Sequence, residues 1–207
     1  MKNKNFVMAL GLTAVVAIII AVVFMNIPDN SAVTVLNQTK TSSSSVNIGG
    51  EFTLTDSRGK SVTDKDYRGK YMLVFFGYTF CPDVCPTALQ TISDTMDLMG
   101  PIAKKIQPLF VTVDPARDTV DVLNRYVKNF HPAIIGLTGT DRQIANIAKI
   151  YGVFYAKSIE PGAEDDDYAM AHSAIVYLMG PDGKYLANFR HETPPDEMAA
   201  RLKTYLK

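Results

Sequence analysis

Only two residues of this 207-residue chain are cysteines and only three are histidines, so a site built on thiolate or imidazole has very few possible members. Neither sign of charge is in excess: 21 Lys and Arg face 21 Asp and Glu. They are scattered rather than gathered into a stripe, which excludes a surface that could track a phosphate backbone and argues against nucleic-acid binding. No internal repeat is evident, which excludes a solenoid or propeller.

One long hydrophobic run is present. Phe6 to Ile27, "FVMALGLTAVVAIIIAVVFMNI", carries no charge, and about 22 residues at helical rise cover roughly 30 Å, the thickness of a bilayer's hydrocarbon core. The run is longer than a signal peptide's apolar region and offers no good small-residue cleavage site, so residues 1–27 are expected to be a short cytoplasmic tip and a retained transmembrane helix. Lys2 and Lys4 precede it and Asp29 is the first charge after it. The positive-inside bias therefore predicts a single pass with the remaining chain outside, at a bacterial inner membrane with the globular part in the periplasm. Residues 28–48, polar and ending near "TKTSSSSV", read as a flexible tether, and residues 49–207 as one domain.

Within that domain short β-rich runs alternate with helical patterns, which predicts an α/β fold. "YMLVFF", Tyr71 to Phe76, and "PLFVTVD" are too continuously apolar for half-exposed strands and should lie buried in the sheet. "EFTLTDSRGKSVT" predicts a hairpin turning at Arg58 and Gly59, and "SAIVYLMGPDGKYLANFR" a second one turning at Pro181 to Gly183. A helix is expected to begin near Thr87, another at Asp118 or Thr119 as N-cap, a third from Asp141 to Tyr151, and an amphipathic one at the C-terminus.

Cys81 and Cys85 lie in "FFGYTFCPDVCPTAL", where a buried strand gives way to a helix. Free N–H groups and the helix dipole at such a junction favour thiolate over thiol. Two thiolates one helical turn apart can converge on a soft ion, act as a redox pair, or close a structural disulfide. A three-residue spacer differs from the two of a thioredoxin motif, and so small a closed loop would constrain the unfolded chain little. Spacing alone leaves metal ligation and redox chemistry both open. Among the histidines, His131 precedes a proline at a helix end and His191 follows the last strand beside Arg190. His172 stands just before a strand, at the end of a long loop, where it is either a third ligand or a satisfied structural histidine.

Four motifs in order, "GYTFCPDVCPTAL", "VTVDPARDT", "GLTG" from Gly136, and a histidine just before "YLMGPDGKYL", resemble the Sco/SenC copper-binding proteins of cytochrome c oxidase assembly, over the chain from about Gly50 to the C-terminus. The resemblance implies a thioredoxin-like domain on a single N-terminal transmembrane anchor. It also implies one copper, as Cu(I) or Cu(II), held by Cys81, Cys85 and His172. The implied task is delivery of copper to the dinuclear site of cytochrome c oxidase subunit II, after receipt from an upstream donor. The alternative is a periplasmic thiol-disulfide reductase that keeps the oxidase's copper-site cysteines reduced, with Cys81 and Cys85 forming the redox disulfide. The first reading is not an enzyme; the second is an oxidoreductase. Two departures stand out: many relatives carry Asp where this chain has Ala171, and some carry His where it has Phe80. Orientation of His172 must then come from elsewhere, and Asp114, at the end of its strand on the edge that bears the cysteines, is either the candidate group or simply the start of an Asp-Pro turn.

Overall fold

A computed structural model describes residues 48–159 and 167–206. The expected anchor and the tether up to residue 47 lie outside the described residues, as do residues 160–166. Among the described residues no helix is long and apolar enough to cross a membrane. Ile48, at the end of the expected tether, already packs against the core.

The first hairpin forms as the turn residues predict, with β1 (Thr53–Asp56) antiparallel to β2 (Ser61–Thr63). Its turn is held by the buried Asp56 carboxylate, which accepts from the N–H groups of Arg58 at 2.9 Å and Lys60 at 3.0 Å and from the Arg58 guanidinium at 2.7 Å. Burial pushes that carboxyl up, but the Lys60 and Arg58 hydrogen bonds outweigh it and hold it below the usual range.

Tyr71–Gly77 forms β3 and Ile106–Thr112 forms β4, and every residue of both strands is buried. That accounts for the unbroken apolar sequence of β3 and the largely apolar one of β4, since strands covered on both faces have no solvent side to keep polar. Between them runs α1 (Val84–Met99), which ends at Gly100 and Pro101, where a short 3-10 turn leads into β4. The helix begins three residues before Thr87, so Cys85 lies within its first turn. After β4 come α2 (Val120–Val127), β5 (Ile135–Thr138) and α3 (Asp141–Tyr151). Thr119, not Asp118, is the N-cap of α2, its side chain accepting from the Val122 N–H. Two further strands, β6 (Tyr155–Ile159) and β7 (Tyr168–His172), precede the hairpin of β8 (Ile175–Met179) and β9 (Tyr185–Arg190), and α4 (Pro195–Tyr205) closes the domain against α1.

The main sheet has the order β2-β1-β5-β4-β3-β8-β9, with β3, β4 and β5 parallel and the outer pairs antiparallel. This is the mixed α/β, thioredoxin-like arrangement. One strand was missing from the sequence reading. His172 does not sit in a loop before a strand but ends β7, which pairs only with β6 as a separate two-stranded ribbon, Tyr155 opposite His172.

Candidate metal centre

At the C-terminal end of β3 the chain turns through Tyr78 to Phe80 and presents Cys81, then enters α1 with Cys85 as its second residue. Asp83 makes no side-chain cap for that helix. The Cys81 sulfur takes over as acceptor for the free N–H groups there, standing 3.4 Å from the Cys85 nitrogen. Gly77 makes room for the pair: a Cβ at that position would lie 2.7 Å from the Cys85 sulfur and 2.8 Å from the Phe110 ring.

From the ribbon, His172 brings Nε2 to 3.4 Å from the Cys85 sulfur. Its Nδ1 is 3.3 Å from the Ser173 carbonyl oxygen, to which an Nδ1–H donates. That hydrogen bond selects the tautomer with a free lone pair on Nε2, facing the sulfur atoms. The ring is wedged edge-on between Tyr78 and Phe75, at centroid distances of 5.9 and 6.2 Å. Ligand atoms of Cys81, Cys85 and His172 all lie within 4.8 Å of one another, the one such cluster among the described residues. Three donors bound to one ion at about 2.0 to 2.3 Å would stand roughly 3.5 to 4 Å apart, so the cluster needs only a small contraction to share a metal. Neither of the other histidines joins it. The imidazole of His131 accepts from the Ala133 N–H at 3.1 Å, and His191 faces Glu192.

Both cysteines are free thiols, but they differ sharply. The hydrogen bond from the Cys85 thiol is the main cause that pulls Cys81 down to about 5, with burial opposing and the Asp83 and Cys85 N–H groups assisting. Cys85, fully buried, is pushed up, first because its proton is held by the Cys81 thiolate and then by desolvation. The Cys85 proton is thus what separates the pair from two thiolates. Alkylation of the metal-free chain with iodoacetamide is expected to modify Cys81 first, with a rate that is half-maximal near pH 5. A midpoint near the ordinary thiol value would contradict this electrostatic picture.

Asp114 is buried at the end of β4 but does not orient His172. One carboxylate oxygen accepts from the Tyr168 hydroxyl at 2.8 Å and the other pairs with the Arg117 guanidinium. The orienting group for His172 is its neighbour's backbone carbonyl, a partner that no side-chain motif announces. Ala171 is exposed, and strand alternation places it on the opposite face of β7 from Tyr168, Met170 and His172.

Asp118, which the sequence offers only as a possible helix cap, has a larger role. It is completely buried and anchors the cysteine loop: it accepts from the Thr79 N–H at 3.0 Å, the Thr79 hydroxyl at 2.5 Å and the Thr112 hydroxyl at 2.6 Å. Its position in "VDPARDT", beside two other charged residues, was the available signal.

The family model described as SCO1/SenC matches residues 40–207. The mitochondrial SCO1 homologue of Homo sapiens is 41% identical over 162 residues, an alignment that covers 77% of this chain and 53% of that protein. The chain thus spans about half the length of the human relative. Among solved structures, copper-bound ScoI of Bradyrhizobium japonicum aligns with a TM-score of 0.71 and 46% identity, covering 77% of this chain and 99% of that one. Copper-bound ScoI of Arabidopsis thaliana aligns with a TM-score of 0.71 and 38% identity over 76% of this chain and 96% of that one.

Proposed function

The chain belongs to the SCO1/SenC family, and from that premise we propose that it is a copper metallochaperone. It holds one copper through Cys81, Cys85 and His172 and delivers it to the dinuclear copper site of cytochrome c oxidase subunit II. The observation that carries this reading is the convergence of two sulfurs and one imidazole nitrogen within 4.8 Å, together with the copper bound by the similar ScoI structures. Soft thiolates favour Cu(I), and adding an imidazole lets the same three groups hold Cu(II). Cys81 and His172 are only partly buried, so an incoming ligand from an acceptor protein can reach the cluster and exchange stepwise. The uncharged run from Phe6 to Ile27 supports tethering at a bacterial inner membrane, with the domain in the periplasm beside its acceptor. An upstream donor loads the site.

Removing the gene from its host and growing the cells at limiting copper is expected to lower the copper content of the oxidase, with recovery when copper is added. Normal oxidase copper under those conditions would defeat the delivery reading.

A second reading draws on the contrast between the two thiols. A thiolate near pH 5 beside a protonated, buried thiol is the pairing used in disulfide exchange: Cys81 attacks a partner disulfide, and Cys85 then releases the reduced partner. In that role the chain would reduce the oxidase's copper-site cysteines before metal arrives.

A further inference from the structure

The ribbon that carries His172 shares no backbone ladder with the seven-stranded sheet. The short link from His172 to β8 ties down one end of the ribbon, and side chains are left to register the rest of it over the cysteines. Its inward face is formed by Tyr168, Met170 and His172, alternate residues of β7. His172 meets Cys85, and Tyr168, at the far end of the strand, enters a closed set of contacts with the loop after β4.

In that set the Tyr168 hydroxyl donates to Asp114 at 2.8 Å, Arg117 donates to the Tyr168 carbonyl oxygen at 2.9 Å, and Arg117 pairs with Asp114. The guanidinium lies 3.6 Å over the Tyr168 ring and 4.7 Å over the ring of Phe80, the residue immediately before Cys81. One cation therefore touches both segments that carry the candidate ligands, the cysteine loop through Phe80 and the ribbon through Tyr168. Its planar fork makes the two hydrogen bonds while its faces stack, which a lysine ammonium cannot reproduce.

We propose that Arg117, with Asp114 and Tyr168, is a positioning clasp that registers the β6–β7 ribbon on the cysteine loop and so sets the reach of His172. The loop "DPARD" then serves both sides of the centre. Asp118 holds the cysteine loop through Thr79, and Asp114 and Arg117 hold the histidine strand through Tyr168. The consequence for metal binding rests on the copper reading above; the structural claim does not.

The test uses the full-length chain, metal-free, with amide hydrogen exchange as the readout. Arg117→Ala is expected to speed exchange at the β7 amides by about tenfold or more, the loss of charged hydrogen bonds, while β3 amides keep their wild-type rates. Arg117→Lys should fail to restore protection. Tyr168→Phe, which keeps the ring and removes only the hydroxyl, should shift β7 in the same direction by less, and it serves if the arginine variant does not fold. Unchanged β7 exchange, or β3 accelerating equally, overturns the clasp. In the copper-loaded Arg117→Ala chain, imidazole nitrogen couplings in pulsed electron paramagnetic resonance should weaken while Cu(I) stays bound through the two cysteines. Couplings at full strength would likewise overturn it. A wild-type chain that takes up no copper would instead defeat the metallochaperone reading, and the exchange result would still decide the clasp.

Discussion

A chain carrying His172→Ala is expected to lose Cu(II) and keep Cu(I). Two thiolates suffice for Cu(I), whereas Cu(II) draws on the imidazole, so the split between oxidation states follows from the donor set itself. Removing a partner that merely orients a ligand costs 10- to 100-fold in metal affinity, so deleting the ligand should cost on the order of a hundredfold or more for Cu(II). Anaerobic titration followed by absorption and electron paramagnetic resonance reads this directly, as a thiolate charge-transfer band that the variant weakens or abolishes. Cys81→Ser and Cys85→Ser should each lose both oxidation states, because each removes half of the sulfur set.

The same series separates the two functional readings. Disulfide exchange needs Cys81 as nucleophile and Cys85 as resolving thiol, so it should survive His172→Ala. If Cu(II) binding proves indifferent to His172, or if copper binding is weak throughout while exchange with a model disulfide is fast, the reductase becomes the better account. The 3.4 Å approach of Nε2 to the Cys85 sulfur, with the other ring nitrogen donating to Ser173, favours a copper site that depends on His172.

Sequence was informative where one local rule dominated. β3 and β4 were legible because burial on both faces leaves runs that are wholly or largely apolar, and the Pro181 to Gly183 turn because its residue types fix its geometry. The helix from Asp141 to Tyr151 was bounded correctly because Thr140 and Gln143 form a capping box and Gly152 closes it in the left-handed region. β7 was not legible. Its five residues, "YAMAH", alternate correctly, but two alanines give little strand signal, and its partner β6 lies across an acidic segment. The three candidate ligands were picked out through the family motifs; spacing alone left the cysteines undecided between metal and redox chemistry. The supporting residues were harder, because Asp114, Arg117 and Asp118 act across 39 to 54 positions of sequence separation. Nothing in "VDPARDT" alone says which acidic side chain turns inward, or toward which ligand.

The largest effect outside the ligands is expected at Asp118. Asp118→Ala strands three buried or part-buried donors, the Thr79 N–H and the hydroxyls of Thr79 and Thr112. With hydroxyls partly able to reorient, a loss of about 3 kcal/mol is reasonable, which lowers Tm by roughly 6 to 12 °C for a domain of this size. Asp118→Asn keeps the shape and one acceptor and should cost less. Their pH dependence has a definite sign. Burial first, and then the charge of Asp114, raise the Asp118 carboxyl above its ordinary value of 3.8, against the threonine hydrogen bonds that lower it. The folded chain therefore holds that proton more tightly than the unfolded chain does. Its contribution to stability is greatest below 3.8 and declines as pH rises from there through the raised folded-state value. Asp56 titrates with the opposite sign, so the useful quantity is the stability of the wild-type chain minus that of Asp118→Asn, from urea unfolding at a series of pH values. That difference should fall as pH rises through this window. A difference that rises instead would mean that the threonine donors outweigh burial, and that the cysteine loop is held by an ordinary ionised carboxylate.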